Sequence, residues 1–160
     1  MRKEIVVDEP IAQQGREGNS WLDVERLARV QLTSEDQALP IENALNLNPE
    51  RNALGWRAGG PGAQTIALHF DVPQDIRRIF VHFIEREAER GQEFALRYSS
   101  PTETNREIVR QQWTFSPTGS TQETEDYTVD LHSVTKLEIF IDPDRGAGRS
   151  RATLNALRVA

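Results

Sequence analysis

The chain has 160 residues, 37% of them hydrophobic, with 19 basic and 25 acidic side chains giving a formal charge of −6. That length fits one domain whose core can form without disulfides or a structural metal. The negative charge argues against a nucleic-acid binder or a protein held on an anionic membrane surface. Cysteine is absent, which excludes thiol nucleophiles, CxxC redox chemistry, iron–sulfur clusters and cysteine zinc sites.

Residues 1–18 read as an extended arm ahead of a single domain over residues 19–160. The chain opens Met1-Arg2-Lys3, as a signal peptide does, but Glu4, Asp8, Glu9 and Pro10 break any apolar stretch. No later run approaches the roughly 18 apolar residues of a membrane span, so a cytoplasmic protein is expected. Within the arm, Ile5-Val6-Val7 suits a short edge strand and Gln13–Gly18 a loop. Ser20 is placed to cap a short helical segment near residues 20–27, with Trp21, Val24 and Ala28 on one face.

The hydrophobic period then changes. Ala28, Val30 and Leu32 alternate with Arg29, Gln31 and Thr33, the pattern of a half-buried strand. From residue 64 the alternation persists: Ile66, Leu68 and Phe70; Ile79, Val81 and Phe83; Phe94, Leu96 and Tyr98. A less apolar set, Val109, Gln111, Trp113 and Phe115, follows, then Val129 and Leu131; Leu137, Ile139 and Ile141; and Leu157 with Val159. Turn residues separate the runs at Val72-Pro73-Gln74-Asp75, Ser100-Pro101, Ser116-Pro117-Thr118-Gly119 and Pro143-Asp144-Arg145-Gly146. The charged stretch Glu85–Arg90 carries no apolar stripe and reads as a solvated loop. About eight short strands without a long helix predict an antiparallel β-sandwich or jelly roll.

Four segments of the N-terminal half carry a family likeness: Val30-Gln31-Leu32-Thr33-Ser34-Glu35, Pro40-Ile41-Glu42-Asn43-Ala44-Leu45, Gly55-Trp56-Arg57 and Gln64-Thr65-Ile66-Ala67-Leu68-His69-Phe70. In this order they resemble the discoidin family, the coagulation-factor type C or galactose-binding-like domains. Leu137–Ile141 and Leu154–Val159 stand where such domains place their last two strands. The likeness runs from about residue 28 to residue 160 and extends to small stand-alone bacterial proteins described as carbohydrate-binding. It implies an all-β chain, an eight-stranded antiparallel jelly-roll β-sandwich with a short N-terminal helical segment. It leaves the ligand open, because one such fold hosts many functions. Calcium-binding members carry an acidic residue and a glycine after the Asn-Ala-Leu stretch and a glutamate in the last strand. Asn46, Leu47 and Ala156 hold those places here, so neither a tight calcium site nor any other metal or cofactor is expected.

Catalytic chemistry finds little support. His69, His82 and His132 match no zinc spacing, and no Gly-x-Ser-x-Gly elbow is present. Asp142-Pro143-Asp144 suits a turn better than a catalytic pair, and Ala58-Gly59-Gly60-Pro61-Gly62 lacks the lysine of a phosphate loop and reads as a flexible connection. A non-catalytic binding module is therefore expected. It would take a carbohydrate or other polar ligand through loops at one end of the sandwich, with no role for nucleic acid or membrane. The rival reading is a protein–protein interaction domain without small-molecule affinity.

A sugar site needs forked donors for hydroxyls and an aromatic face for the ring. Arginine dominates the basic residues, with Lys3 and Lys136 the only lysines. Arg57, Arg145 and Arg149 are the candidate donors and Trp21 the candidate ring. Trp56 and Trp113 suit the core, while Tyr98 and Tyr127 stay open.

Overall fold

A computed structural model describes residues 21–160. The arm over residues 1–18, the expected edge strand at Ile5–Val7 and the Ser20 cap lie outside the described residues. Strand β1 (Ala28–Leu32) pairs antiparallel with the start of β3 (Gln64–Ile84), Ala28 opposite Phe70 and Leu32 opposite Ile66. The same part of β3 pairs with the end of β6 (Gln122–Asp142), which pairs with β4 (Arg90–Ser99), and β5 (Arg106–Phe115) closes the edge. These segments make a five-stranded layer. The rest of β3 pairs on one side with the start of β6 and on the other with β8 (Ala156–Val159), a three-stranded layer. Five segments and three give the eight-stranded jelly roll.

The layers meet through the side chains that alternation turns inward. Phe83 of the three-stranded layer packs against Phe94 of the five-stranded one, ring centroids 5.2 Å apart. Ile66, Leu68, Ile79, Val81, Leu96, Leu137, Ile139 and Ile141 complete one continuous core. Each such side chain contributes roughly 1.5–3 kcal/mol on burial.

Three local expectations are corrected. The expected turn at Val72–Asp75 is extended backbone inside β3, a corner where the ladder shifts register between His69 and Arg78. The shift explains why the buried positions change parity, from Ile66, Leu68 and Phe70 to Ile79, Val81 and Phe83. Pro73 is tolerated there because the ladder is interrupted between His69 and Gln74. The second correction concerns the glycine-rich connection, which is a strand: β2 (Trp56–Pro61) pairs with β7 (Arg151–Leu154) as a two-stranded ribbon.

Third, helix is not confined to the N-terminal segment. The expected turn is present as α1 (Val24–Leu27), and two more short helices follow, α2 (Glu42–Leu45) and α3 (Pro49–Leu54). Helix α3 starts where Asn48 caps the Glu50 amide and Pro49 supplies a preset φ. Among the described residues no helix is long and apolar enough to cross a membrane.

Buried asparagines fasten these helices to the sandwich. Asn43 donates to the Gly55 carbonyl and accepts from Arg51. Asn52 donates to the carbonyls of Asn43 and Asn46, covering acceptors that short α2 leaves open. Asn155 donates to the Asn52 carbonyl and accepts from the Ile84 amide. Gly55 admits this knot, since its φ is 71° and an added Cβ would lie 2.8 Å from the Asn155 amide nitrogen. Asn155→Ala should cost roughly 2–3 kcal/mol by leaving the Ile84 N–H and Asn52 C=O unpaired. A urea midpoint within error of the parent would refute that accounting.

Candidate functional site

Strand register gathers most loops at one end. Gln64 lies opposite Ile141, Ile84 opposite Gln122, and Arg90 opposite Phe115. Loops 33–41, 85–89, 116–121 and 143–150, with the β2–β7 ribbon, therefore share that end. The carboxy-terminal Ala160 lies at the other, its carbonyl accepting from the Arg77 and Arg78 amides.

An open cavity of about 490 Å³ occupies the loop end, lined among others by Arg57, Arg86, Arg151, Leu54, Trp56 and Asn155. Strand alternation explains the first arginine. Trp56 turns inward, 1% exposed, its Nε1 donating to the Ser34 carbonyl, so Arg57 turns out. Arg57 donates to Asp36 Oδ2 from Nε at 3.2 Å and from a terminal nitrogen at 2.7 Å. Arg151, across the ribbon, approaches the same oxygen at 3.4 Å. The Arg57 hydrogen bond, then the Ala38 amide, hold the Asp36 carboxyl below its ordinary pKa. One carboxylate thus orients two guanidinium groups.

The floor of the loop end is a buried arginine. Arg90 donates to Glu85 at 2.9 Å, to the Gln92 side chain at 3.0 Å and to the Pro143 carbonyl at 2.7 Å, over the Phe115 ring. The stretch Glu85–Arg90 is a loop as expected, but its ends are tied together and Arg90 is buried, not solvated. Burial alone would raise the Glu85 pKa. The Arg90 bond and the amides of Glu87 and Ala88 outweigh it and hold the group below its usual value.

Deeper in, Gln92 also donates to Glu123, at 3.3 Å. Glu123 is 1% exposed and its Oε2 has no hydrogen-bond partner among the described residues. Burial, then the adjacent charge of Glu125, push its pKa up to about 7.

The four residues singled out from the sequence do not share one pocket. Arg57 lines the loop-end cavity. Arg145 lies at the same end but turns across β4 and β5, its stem against Gly91 and its guanidinium donating to Gln112 at 2.9 Å. It borders a separate recess with Trp113. Arg149 is exposed in loop 143–150, where its backbone amide donates to Asp144. Trp21 sits on the outer face of the three-stranded layer, 6.2 Å from Phe80, with the Arg78 guanidinium 4.6 Å over its ring.

The loop's own carboxylates explain this separation. Asp142 accepts from the Asp144 and Gly146 amides, and Asp144 from those of Gly148, Arg149 and Ser150. The β2–β7 ladder brings Arg151 beside Arg57, while these bonds shape the loop that holds Arg145 apart, with a positive φ of 55°. Neither Arg86, in the stretch read as a solvated loop, nor Arg151, the third arginine of the run Arg145–Arg151, is among the four candidates. The signal for both is positional: Arg86 follows the end of β3 by two residues and Arg151 opens β7, both at the loop end.

The histidines are occupied. His69 pairs with Gln31 and His82 with Gln122, both at 2.9 Å, while His132 lies 3.2 Å from Asp130. Among the described residues no group of three or more His, Cys, Asp or Glu is arranged to hold a metal. Of the positions compared with calcium-binding domains, Asn46 donates to Glu25, Leu47 is exposed and Ala156 is buried.

No protein-family model and no curated protein matches the sequence. Solved structures do match in three dimensions. A family 32 carbohydrate-binding module of Clostridium perfringens NanJ, in complex with galactose, superposes with a TM-score of 0.59 at 14% identity, over 87% of this chain and 96% of that one. The CBM32 of AlyQ, in complex with 4,5-unsaturated mannuronic acid, gives 0.54 at 17% identity, over 84% and 95%. CBM32-3 from a family 31 glycoside hydrolase of Clostridium perfringens gives 0.60 at 14% identity, over 89% and 96%. The described chain, bent strands, ribbon and loop end together, has the galactose-binding-like, discoidin-type jelly-roll fold of these carbohydrate-binding modules.

Proposed function

We propose that this protein is a non-catalytic carbohydrate-binding module whose ligand enters the loop-end cavity. The observation that carries the reading is the convergence of Arg57, Arg86 and Arg151 on an open cavity with the apolar Leu54 at its border. Guanidinium forks suit paired sugar hydroxyls, and an apolar side chain suits the ring face. The fold likeness to modules seen with galactose and with an unsaturated uronate supports the same class of ligand. Holding a sugar needs no proton transfer, and the two glutamates of the cavity do not form a free acid–base pair, because Glu85 is committed to Arg90.

A glycan array followed by calorimetric titration tests this. Arg57→Ala should weaken any sugar found by about tenfold or more. Stability should change by no more than about 1 kcal/mol, as befits a partly exposed ion pair. The sugar should be recovered unaltered after prolonged incubation. An array without a single ligand, or an Arg57→Ala variant of full affinity, would remove the cavity from the account.

A further inference from the structure

A second cavity, of about 400 Å³, adjoins the first on the outer face of the three-stranded layer. The two share Ala53, Ile84 and Arg86. Alternation on β3 turns Phe80, His82 and Ile84 outward in one row, and α3 supplies Asn52 and Ala53. From Phe80 to Ile84 the row spans about 13 Å, and it leads directly into the loop that carries Arg86. The arrangement is one continuous track with room for more than one sugar ring.

The charges along the track are uneven. No carboxylate lines the second cavity, whose charged residues are Arg86 and Arg158. Arg158 stands opposite Phe80 in the ladder, its guanidinium 5.9 Å from the ring centroid, and donates to Asn52 Oδ1. Its Nε is buried and has no hydrogen-bond partner among the described residues. Arg86 is exposed and makes no hydrogen bond or ion pair among the described residues. Two arginines lacking carboxylate partners, in a chain of charge −6, offer donors only. Neutral hydroxyls want acceptors as well as donors, whereas a carboxylate takes donors alone.

We propose that the two cavities form one groove for an acidic oligosaccharide, with one sugar in the loop-end cavity and a uronate over Phe80 whose carboxylate lies between Arg86 and Arg158. This rests on the carbohydrate-binding reading and adds to it the length and charge of the ligand. Phe80 supplies the apolar surface for the second ring.

Calorimetric titration with galactose, galacturonic acid, a galacturonic acid trimer and a neutral galactose trimer provides the test. The acidic trimer should bind about tenfold or more tightly than galacturonic acid, as one added charge-assisted contact allows. The neutral trimer should show no such gain over galactose. Arg158→Gln should abolish the gain from length and leave galactose binding in the loop-end cavity as in the parent. Arg86→Ala, an exposed change with little effect on folding, should weaken both acidic ligands. A melting curve for each variant separates lost binding from lost fold. Equal affinity for acidic monomer and trimer, or a gain that survives both substitutions, would overturn the groove while leaving the loop-end site intact. Failure of every sugar to bind would overturn both readings.

Discussion

Replacing Arg90 with alanine should cost roughly 3–5 kcal/mol, as breaking a buried ion pair does. The side chain is 2% exposed and its guanidinium serves Glu85, Gln92 and Pro143 together. Its removal leaves a half-buried carboxylate, a buried amide and a carbonyl without their donor. Arg90→Lys should recover part of the loss, since one ammonium cannot reproduce the planar fork. Urea denaturation of the parent and both variants gives the ranking directly. The pH dependence has a definite sign. Glu85 is held below its ordinary pKa, so its pairing stabilises the fold above the unfolded carboxylate value. That contribution is lost as pH falls through the folded one. A parent and an Arg90→Ala variant that share one stability profile on acidification would contradict the assignment.

The second large effect runs the other way. Glu123 has its pKa raised from 4.5 to about 7, so between those values the native state holds a proton that the unfolded chain releases. Stability therefore falls as pH rises across that interval and levels off above it, by about 3 kcal/mol in total. Glu123→Gln places a neutral side chain of the same shape in the same pocket. Parent and variant should have similar stability near pH 4, and the variant should be the more stable by up to about 3 kcal/mol at pH 8. Parallel curves for the two proteins across that range would show that Glu123 is not the titrating group.

These two residues also mark where sequence reading stopped. Alternation made the sandwich legible: every apolar run chosen between Ala28 and Val159 falls in a strand. The corner of β3 was not legible, because Pro73 and Asp75 are turn formers by composition. Pairing of their neighbours Gln74 and Ile76 with β6 keeps the corner extended. Arg90 reads as part of a solvated loop and Glu123 carries no signal of its own, since burial of a charge depends on partners such as Pro143, 53 positions from Arg90, and Gln92, 31 from Glu123. The candidate site was legible by residue type and end of the sandwich, but not by grouping. Arg57 and Arg151 come together through the β2–β7 ladder, whereas Arg145 and Arg149 follow a path set by hydrogen bonds from loop amides to Asp142 and Asp144. Such bonds leave no periodic trace in the sequence.

The bent strands carry a consequence for how the protein comes apart and together. Because β3 and β6 each run for 21 residues through both layers, the layers have two strands in common and cannot separate as independent plates. Loss of one layer frays the other at once, which makes unfolding a single cooperative event without a half-sandwich intermediate. Assembly is correspondingly slow. The central ladder is complete only when Gln64 lies opposite Ile141, and so distant a closure costs entropy before its contacts reward it, placing folding in the millisecond-to-second range typical of non-local β topologies.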